Sequence, residues 1–208
     1  MVVVVDYGAG NLRSVVRAVE RAGVQPVVSH DPRDLDRADA VILPGVGAAA
    51  DTMAHLGAYG LVDPIRAYIR GGRPFLGVCM GLQALLTGSE EGGWHPCLDV
   101  MAGRVARFGE DLIVPHMGWN SVHQQRPHPV FEGIPNPAFF YFVHSYYCQP
   151  SDVTMIAATT PYGGDFASVL AHDNVVATQF HPEKSGDAGL RLYENFLIWA
   201  GVRERAAA

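Results

Sequence analysis

The sequence has little charge, and neither sign is concentrated in one stretch. Only 17% of its 208 residues are Asp, Glu, Lys or Arg, against roughly 25% in an ordinary soluble domain. Fifteen basic and 21 acidic residues give a formal net charge of −6 at pH 7. Because nucleic-acid phosphates are bound by concentrated positive faces, we expect no nucleic-acid partner. Because 49% of the residues are hydrophobic, the chain can fill a core, which excludes disorder.

A long apolar run is also missing. The longest uncharged stretch, residues 133–151, is interrupted by prolines, His144 and Gln149, whereas a bilayer span needs about 20 mostly apolar residues. Residues 2–5 are apolar but run directly into Asp6, without the basic start and small-residue cleavage site of a signal peptide. We therefore expect no membrane partner and a cytoplasmic protein.

Cysteine is scarce. Cys79, Cys97 and Cys148 are an odd number without metal-like spacing, so a disulfide framework is excluded and a reducing compartment is expected. Nine histidines are scattered without a His-Glu-x-x-His pattern, and the chain has no phosphate-binding loop. The sequence thus predicts neither a metal nor a cofactor.

In the first half of the chain, short runs of β-branched residues alternate with segments whose apolar residues recur at helical spacing. Buried strands are predicted at residues 1–5, 24–29, 40–43 and 74–78. Helices are predicted after a cap at Asn11, over the apolar face of Val62, Ile65 and Ile69, and from 81 to 86. Strands separated by helices indicate a mainly parallel sheet with right-handed crossovers.

The second half changes to strands joined by short turns, which indicates an added antiparallel layer. Strands are predicted at residues 103–108, 112–115, 139–147, 154–160 and 168–180, and a helix at 189–199. Asp173 and Asn174 tolerate left-handed backbone and predict a hairpin turn inside the last of these strand regions. We predict one α/β domain over residues 1–203, followed by a frayed tail at 204–208.

The turn Gly8-Ala9-Gly10 after the first strand invites a dinucleotide-binding interpretation. That fingerprint needs a third glycine at position 13, where the chain has Arg13. A tight strand-to-helix turn is therefore the favoured interpretation.

The segment Gly77-Val78-Cys79-Met80-Gly81 places a cysteine between two glycines where a predicted strand meets a predicted helix. This is the form of a nucleophile elbow, in which the glycines let strand and helix approach closely. Free N–H groups and the dipole at a helix N-terminus favour a thiolate at Cys79, and the N–H of Met80 offers one oxyanion donor. Taken alone, the pentapeptide fits a buried structural cysteine equally well.

A matching base follows the last predicted strand as His181-Pro182-Glu183. Residues two apart in an extended chain point to one face, so the imidazole and the carboxylate lie side by side. A carboxylate that holds one ring nitrogen fixes the tautomer and leaves the other nitrogen for a thiol. Cys79, His181 and Glu183 are therefore the predicted catalytic residues, in an order unlike that of the α/β-hydrolases.

These two motifs resemble the class I (triad) glutamine amidotransferases. Four further segments, at residues 6–12, 44–47, 115–120 and 181–185, resemble the glutaminase subunits of imidazole glycerol phosphate synthases. The resemblance implies a flavodoxin-like three-layer sandwich that hydrolyses glutamine without a cofactor. It also implies a separate cyclase subunit, a (β/α)8 barrel, which uses the ammonia in histidine biosynthesis to make imidazole glycerol phosphate and aminoimidazole carboxamide ribotide.

The same resemblance implies roles for residues around the triad. A second oxyanion donor would come from the backbone at Val46 and Gly47. Glutamine would be bound by Gly47, Gln83, Ser145 and Tyr146. The ammonia exit would be guarded by Tyr141 and Lys184, and Trp119 would face the partner.

Two places depart from the family pattern, and three other functions stay open. Ala48-Ala49-Ala50 stands where the family has an aromatic residue shortly after Gly47, and residues 92–102 are irregular. The chain could be a glutaminase subunit of another class I amidotransferase, although residues 6–12 argue against it. A thiol hydrolase acting on esters, or a flavodoxin-like binding module with a fortuitous cysteine, are the remaining alternatives.

Overall fold

A computed structural model of the protein describes residues 1–8 and 11–204. Ala9 and Gly10 of the predicted glycine turn, and residues 205–208 of the predicted tail, lie outside the described residues. Among the described residues, no helix is both long enough and apolar enough to cross a membrane.

The first half of the chain forms the parallel part of one large sheet. Its strands are β1 (Val2–Val5), β2 (Val27–Ser29), β3 (Ala40–Leu43) and β4 (Phe75–Val78). Its helices are α1 (Leu12–Arg21), α2 (Pro32–Arg37), α3 (Ala49–Ala58), α4 (Val62–Arg70) and the short α5 (Met80–Gln83). The strand order is β2-β1-β3-β4, and β13 from the end of the chain pairs in parallel with β4.

The second half supplies the remaining strands and the last helix. The strands are β5 (Leu86–Ser89), β6 (His95–Pro96), β7 (Met101–Arg107), β8 (His116–Gln124), β9 (Ala138–His144), β10 (Tyr146–Pro150), β11 (Ile156–Pro161), β12 (Asp165–His172) and β13 (Val175–Thr178), and the helix is α6 (Gly186–Trp199). The sheet continues from β13 as β12-β10-β7-β5-β6, while β11, β8 and β9 branch from β12. Most of these pairs are antiparallel, with β5 and β7 the parallel exception among those described.

The valines of β1 show why the sheet is covered on both faces. Alternate side chains of a strand point to opposite faces. Val2 and Val4 pack into the cluster that contains α1 and α6, and Val3 and Val5 pack into the cluster that contains α2, α3 and α4. All four valines are fully buried. The predicted three-layer α/β fold with an added antiparallel part is confirmed.

Several local predictions are also confirmed. The third strand spans 40–43 as predicted, and the hairpin turn lies at Asp173 and Asn174, between the paired His172 and Val175. Asp173 has φ +47°, the left-handed conformation that the turn requires. Asn11 occupies the cap position of α1, but its side chain accepts no hydrogen bond from the helix.

Three predicted elements are wrong, because pairing with distant strands decides them. The predicted helix at 81–86 ends at Gln83, and Leu86 pairs with Met101 as part of β5. The predicted strand at 112–115 is absent from the described structure, since β8 begins at His116, after a proline that has no N–H for a ladder. The predicted strand at 139–147 breaks at Ser145, where the chain leaves its pairing with β8 and joins β7.

Candidate active site

Cys79 stands at the junction of β4 and α5 in a strained backbone conformation. Its φ of +54° and ψ of −104° are unusual for a residue with a side chain, and such a conformation costs about 1–3 kcal/mol. The surrounding sheet holds it there, because the N–H of Cys79 donates a 2.7 Å hydrogen bond to the carbonyl of Thr178 on β13. The side chain is buried, with 6% exposure.

The two glycines that flank Cys79 are required by close backbone contacts. A Cβ at Gly77 would lie 2.7 Å from the carbonyl oxygen of Gly81, and a Cβ at Gly81 would lie 2.0 Å from that of Leu43. Neither position can hold a side chain unless the backbone moves. The strand therefore turns directly into α5, as the elbow pattern predicts.

His181 and Glu183 form a buried pair at the end of the sheet. After β13 the chain enters a 3-10 turn at Pro182–Lys184, and the Nδ1–H of His181 donates to Oε1 of Glu183 at 2.8 Å. Both side chains are 1% exposed. Because Nδ1 is engaged by the carboxylate, Nε2 is the nitrogen left for a reacting group, and it has no hydrogen-bond partner among the described residues.

The pKa of His181 is raised to about 9. Burial is the largest single effect and lowers the pKa, but the Cys79 thiol and the Glu183 carboxylate together more than reverse it. Both neighbours stabilise the protonated imidazole. The site therefore favours an imidazolium beside Cys79 at neutral pH.

One cavity of about 370 Å³ brings most of the predicted site residues together. Those lining it are Val46, Gly47, Cys79, Met80, Gln83, Ser145, Tyr146 and His181. Glu183 is not among its lining residues and contacts His181 through Nδ1 on the other side of the ring.

The glycines of the 44–47 segment serve two different purposes. A Cβ at Gly45 would lie 2.6 Å from Cβ of Met80 and 2.8 Å from the hydroxyl of Tyr7, so this glycine allows close packing against the elbow. Gly47 has φ +93° and open space where a Cβ would stand. Gly47 is therefore required by its backbone conformation rather than by crowding.

Gln83 lines the cavity and carries one acceptor that no protein donor uses among the described residues. Its Nε2 donates to the carbonyl of Tyr146 at 3.0 Å and to Oε1 of Gln179 at 3.1 Å. Its own Oε1 is buried without a hydrogen-bond partner among the described residues. A ligand that carries an N–H group could satisfy this oxygen.

Gln179 is a site residue that the sequence reasoning missed. It is fully buried, and its Nε2 lies 3.8 Å from Sγ of Cys79 as a donor. The signal that could have found it is nearness in sequence, because Gln179 directly follows β13 and stands two residues before His181.

His144 was also missed, although it lines the same cavity. Its Nδ1–H donates to the carbonyl of Tyr146 at 2.8 Å, and its Nε2 therefore accepts from Nδ1 of His116 at 2.9 Å. His116 in turn accepts from Nδ2 of Asn120 at 3.1 Å. Burial lowers the pKa of His144 to about 3 and that of His116 to about 4, so this chain of side chains is neutral.

The alanine run is hydrogen-bonded to a residue that stands next to the irregular segment. The N–H of Ala49, in the alanine run, donates to Oε2 of Glu91 at 2.9 Å. Glu91 directly precedes the irregular residues 92–102 and lines the cavity. Its carboxylate therefore joins the start of α3 to the second half of the chain.

Tyr141, Lys184 and Trp119 lie together outside the cavity. Trp119 on β8 pairs with Tyr141 on β9, and their ring centroids are 6.4 Å apart in an edge-to-face arrangement. The Nζ of Lys184 stands 5.8 Å from the centroid of the Tyr141 ring. These three residues form one cluster on the outer face of the β8–β9 pair.

Hydrogen bonds join Tyr141 to the segment that carries His181. The N–H of His181 donates to the carbonyl of Tyr141 at 2.9 Å, and the N–H of Tyr141 donates to Oγ of Ser185 at 3.0 Å. Ser185 Oγ–H donates in turn to the carbonyl of His181 at 2.6 Å. We call this set of three bonds the Tyr141 clamp.

Comparisons with known proteins agree on one family. The model of the family "Glutamine amidotransferase class-I" matches residues 3–200. The chain is 50% identical over 200 residues to the imidazole glycerol phosphate synthase subunit HisH of Dehalococcoides mccartyi strain CBDB1, which covers 96% of this chain and 98% of that protein. It is 51% identical over 203 residues to the subunit of the same name from Syntrophotalea carbinolica, with 94% and 98% covered.

Solved structures share the fold at lower identity. PurLQS from Thermotoga maritima superimposes with a TM-score of 0.76 at 18% identity, over 95% of this chain and 97% of that chain. A crystal structure titled glutamine amidotransferase gives a TM-score of 0.77 at 24% identity, over 97% and 100%. The architecture is therefore common to proteins whose sequences have diverged widely.

Proposed function

The chain belongs to the class I glutamine amidotransferase family, which confirms the resemblance, and from that premise we propose that it hydrolyses glutamine with Cys79, His181 and Glu183. It supplies the ammonia for histidine biosynthesis, as the subunit of imidazole glycerol phosphate synthase that its half-identical relatives are named for. The observation that carries the catalytic assignment is the His181–Glu183 bond, which leaves Nε2 free at a cavity that Cys79 also lines.

The reaction proceeds through a thioester. The Cys79 thiolate attacks the side-chain amide carbon of glutamine and forms a tetrahedral intermediate. As the C–N bond breaks, protonated His181 gives its Nε2 proton to the departing nitrogen, which leaves as ammonia. Neutral His181 then takes a proton from water, whose oxygen attacks the thioester and releases glutamate and the thiol.

The elevated pKa of His181 suits the first half of this sequence. With a pKa of about 9, the imidazole is protonated at neutral pH and is ready to act as the acid. Glu183 keeps the proton-bearing Nδ1 oriented away from the substrate, so that Nε2 makes the transfer. Glutamine hydrolysis by this route requires no metal or cofactor.

The oxyanion of the tetrahedral intermediate is bound by backbone donors. The N–H of Met80 lies at the start of α5, one residue after the nucleophile, and Met80 lines the cavity. The second donor comes from Val46 and Gly47, where the open space around Gly47 lets the peptide rotate. Removal of one such donor typically costs about 10²–10³ in turnover.

Glutamine is held by four residues that line the same cavity. Ser145 and Tyr146 lie where the chain passes from β9 to β10, and both line the cavity with Gln83 and Gly47. The free Oε1 of Gln83 supplies an acceptor for a substrate N–H. The neutral His144 fixes the position of the Tyr146 carbonyl.

The cyclase partner docks on the outer face of β8 and β9. Met117, Trp119 and Phe139 point outward there, each more than half exposed. Large apolar side chains that cluster in the open are typical of protein interfaces. Ammonia leaves beside Tyr141 and Lys184 at the same face and enters the (β/α)8 barrel of the partner. We place this pair of subunits in the cytoplasm and treat residues 1–203 as one domain.

Replacement of Cys79 tests the catalytic assignment. We expect Cys79→Ala, assayed with the cyclase subunit and its ligand, to release no measurable ammonia from glutamine, because the nucleophile is lost. Cys97→Ala is the matched control, since Cys97 is also buried and unpaired. A glutamine-mimicking chloroketone should label wild type and Cys97→Ala but not Cys79→Ala.

Unchanged ammonia release in Cys79→Ala would overturn this assignment and favour a non-catalytic cysteine. Turnover of simple esters with no glutaminase activity would favour the thiol hydrolase. We also expect the isolated chain to hydrolyse glutamine slowly until the partner binds; the full complexed rate in its absence would contradict that.

Two tryptophans of equal exposure test the partner surface. Trp119 and Trp94 are each 56% exposed, but only Trp119 lies on the β8–β9 face. We expect Trp119→Ala to raise the dissociation constant for the cyclase subunit at least about 30-fold, the effect of an interface hot spot of about 2 kcal/mol. Titration calorimetry of Trp119→Ala and the control Trp94→Ala measures this dissociation constant. Equal small effects in the two variants would exclude the β8–β9 face as the docking surface.

A further inference from the structure

One oxygen of the Glu183 carboxylate has no hydrogen-bond donor among the described residues. Oε1 accepts the proton of His181, whereas Oε2 is buried and has no hydrogen-bond partner among the described residues. A buried carboxylate oxygen without a donor is costly. If Glu183 stays ionised while His181 cycles between charged and neutral, a second donor is needed.

The hydroxyl of Tyr193 is a buried donor that lacks an acceptor in the described part of the chain. Tyr193 on α6 is fully buried, and its hydroxyl likewise has no hydrogen-bond partner among the described residues. Its pKa is raised well above the ordinary value, chiefly by burial and then by the negative charge of Glu183. The hydroxyl therefore keeps its proton and is available as a donor.

A close helix contact explains how Tyr193 reaches this place. Helix α6 begins directly after the 3-10 turn that carries Glu183 and packs back on it. A Cβ at Gly189 would lie only 1.8 Å from the carbonyl oxygen of Pro182, so the helix and the turn touch at this glycine. Tyr193 is one helical turn after Gly189 and shares its face. The contact thus directs the Tyr193 side chain toward Glu183.

We propose that Tyr193 is a positioning residue whose hydroxyl donates a hydrogen bond to Oε2 of Glu183. The proposal rests on the catalytic role proposed for Glu183 and extends it by one buried donor. With Oε2 held, the carboxylate cannot rotate away from His181, and it remains an anion when His181 becomes neutral. Hydrogen bonds of a catalytic site are often long in the resting state and tighten when substrate binds.

Removal of the one hydroxyl tests the proposal. We expect Tyr193→Phe to lower kcat for glutamine hydrolysis in the complex with the cyclase subunit about tenfold, the scale of one charge-assisted hydrogen bond, with KM changed less than about twofold. Tyr68→Phe is the matched control, because Tyr68 is also a buried tyrosine but its hydroxyl donates to the carbonyl of Pro74.

The second measurement is the titration of His181 by NMR of ring-labelled histidine in the full chain. The ionisable groups that act on this imidazole are Cys79, Glu183 and the neutral His144. Without the Tyr193 hydroxyl, Glu183 is less well stabilised when His181 is neutral. The pair then holds its proton to higher pH, so we expect the pKa of His181 to rise by about half a unit or more.

Unchanged kcat and an unchanged His181 titration in Tyr193→Phe would overturn the positioning role. So would equal losses in Tyr193→Phe and Tyr68→Phe, because they would indicate a general cost of removing a buried hydroxyl. Glu183→Ala separates this failure from that of the proposed function. If Glu183→Ala keeps full activity, the catalytic assignment itself is wrong, whereas an inactive Glu183→Ala beside an active Tyr193→Phe rejects Tyr193 alone.

Discussion

Two histidines line the same cavity and carry opposite charge states. His181 and His144 are both buried, with 1% and 6% exposure, yet the pKa of His181 is raised to about 9 and that of His144 is lowered to about 3. Burial alone moves both toward the neutral form. The neighbours make the difference, since His181 meets a thiol and a carboxylate while His144 meets a second imidazole and a carbonyl.

The surroundings of each histidine suit a different task. A histidine that is to donate a proton needs an anionic partner that stabilises its charged form. A histidine that is to hold the carbonyl of Tyr146 needs one fixed tautomer and no charge, and the donors of His116 and Asn120 fix that tautomer. The contrast indicates that the charge of each histidine in this cavity depends on the groups that its ring meets.

The largest effect expected in this comparison comes from removing the negative charge of Glu183, which His181 has beside it and His144 does not. Glu183→Gln keeps the size of the side chain but takes away the anion, so we expect the pKa of His181 to fall. We expect kcat to drop about 10³–10⁴-fold, because the corresponding acid-to-amide change in a serine-protease triad costs about 10⁴. Steady-state glutaminase assays in the complex measure the loss.

Glu90→Gln is the control for this prediction, because Glu90 is partly exposed and pairs with Arg104 on the surface. It should leave kcat unchanged. A loss of less than about tenfold in Glu183→Gln would mean that the anion is not what distinguishes the two histidines.

A smaller effect concerns stability in acid. The folded protein keeps His144 neutral, with a pKa of about 3, whereas the unfolded chain protonates it below about pH 6.5. Its contribution to stability is therefore present above about pH 6.5 and is lost as pH falls toward 3, with a slope of about 1.4 kcal/mol per pH unit for one proton. In wild type, His144 adds this slope to the decline of the unfolding free energy as the pH falls. We expect the decline in His144→Gln to be shallower by that amount, measured by urea unfolding between about pH 6 and about pH 4.

His181 should show the opposite dependence. Its pKa is raised on folding, so its stabilisation is complete below about pH 6.5 and is lost as pH rises through 9. His181→Gln should therefore alter the alkaline side of the stability curve and leave the acid slope unchanged. If His144→Gln keeps the full wild-type acid slope, the two histidines do not differ as described.

The parts of the site that are local in the chain were predictable from sequence. The elbow needs only Gly77, Cys79 and Gly81 in one strand-to-helix turn. The closeness of His181 and Glu183 was also predictable, although the extended chain expected there is wrong, because a 3-10 turn at Pro182–Lys184 brings the two side chains together. The valine runs and the hairpin at Asp173 are local in the same sense. Site features that depend only on residues close together in the sequence can therefore be predicted before the fold is known.

The remaining parts depend on the register of strands that are distant in sequence. Gln83 meets Gln179 across 96 positions, and His116 meets His144 across 28. The change of strand partners at Ser145 also depends on which strands come to lie on either side. The apolar run at 81–86 suited a buried helix or a buried strand equally, and pairing with β7 decided the outcome.

The Tyr141 clamp has a consequence for how the protein can be damaged. Strand β9, whose Tyr141 contacts the exposed Trp119 of β8, is hydrogen-bonded directly to the main chain of His181. A lesion or a foreign molecule on that outer surface would displace His181 without touching the cavity directly. Inactive variants of this enzyme should therefore arise on its exterior as well as at its centre.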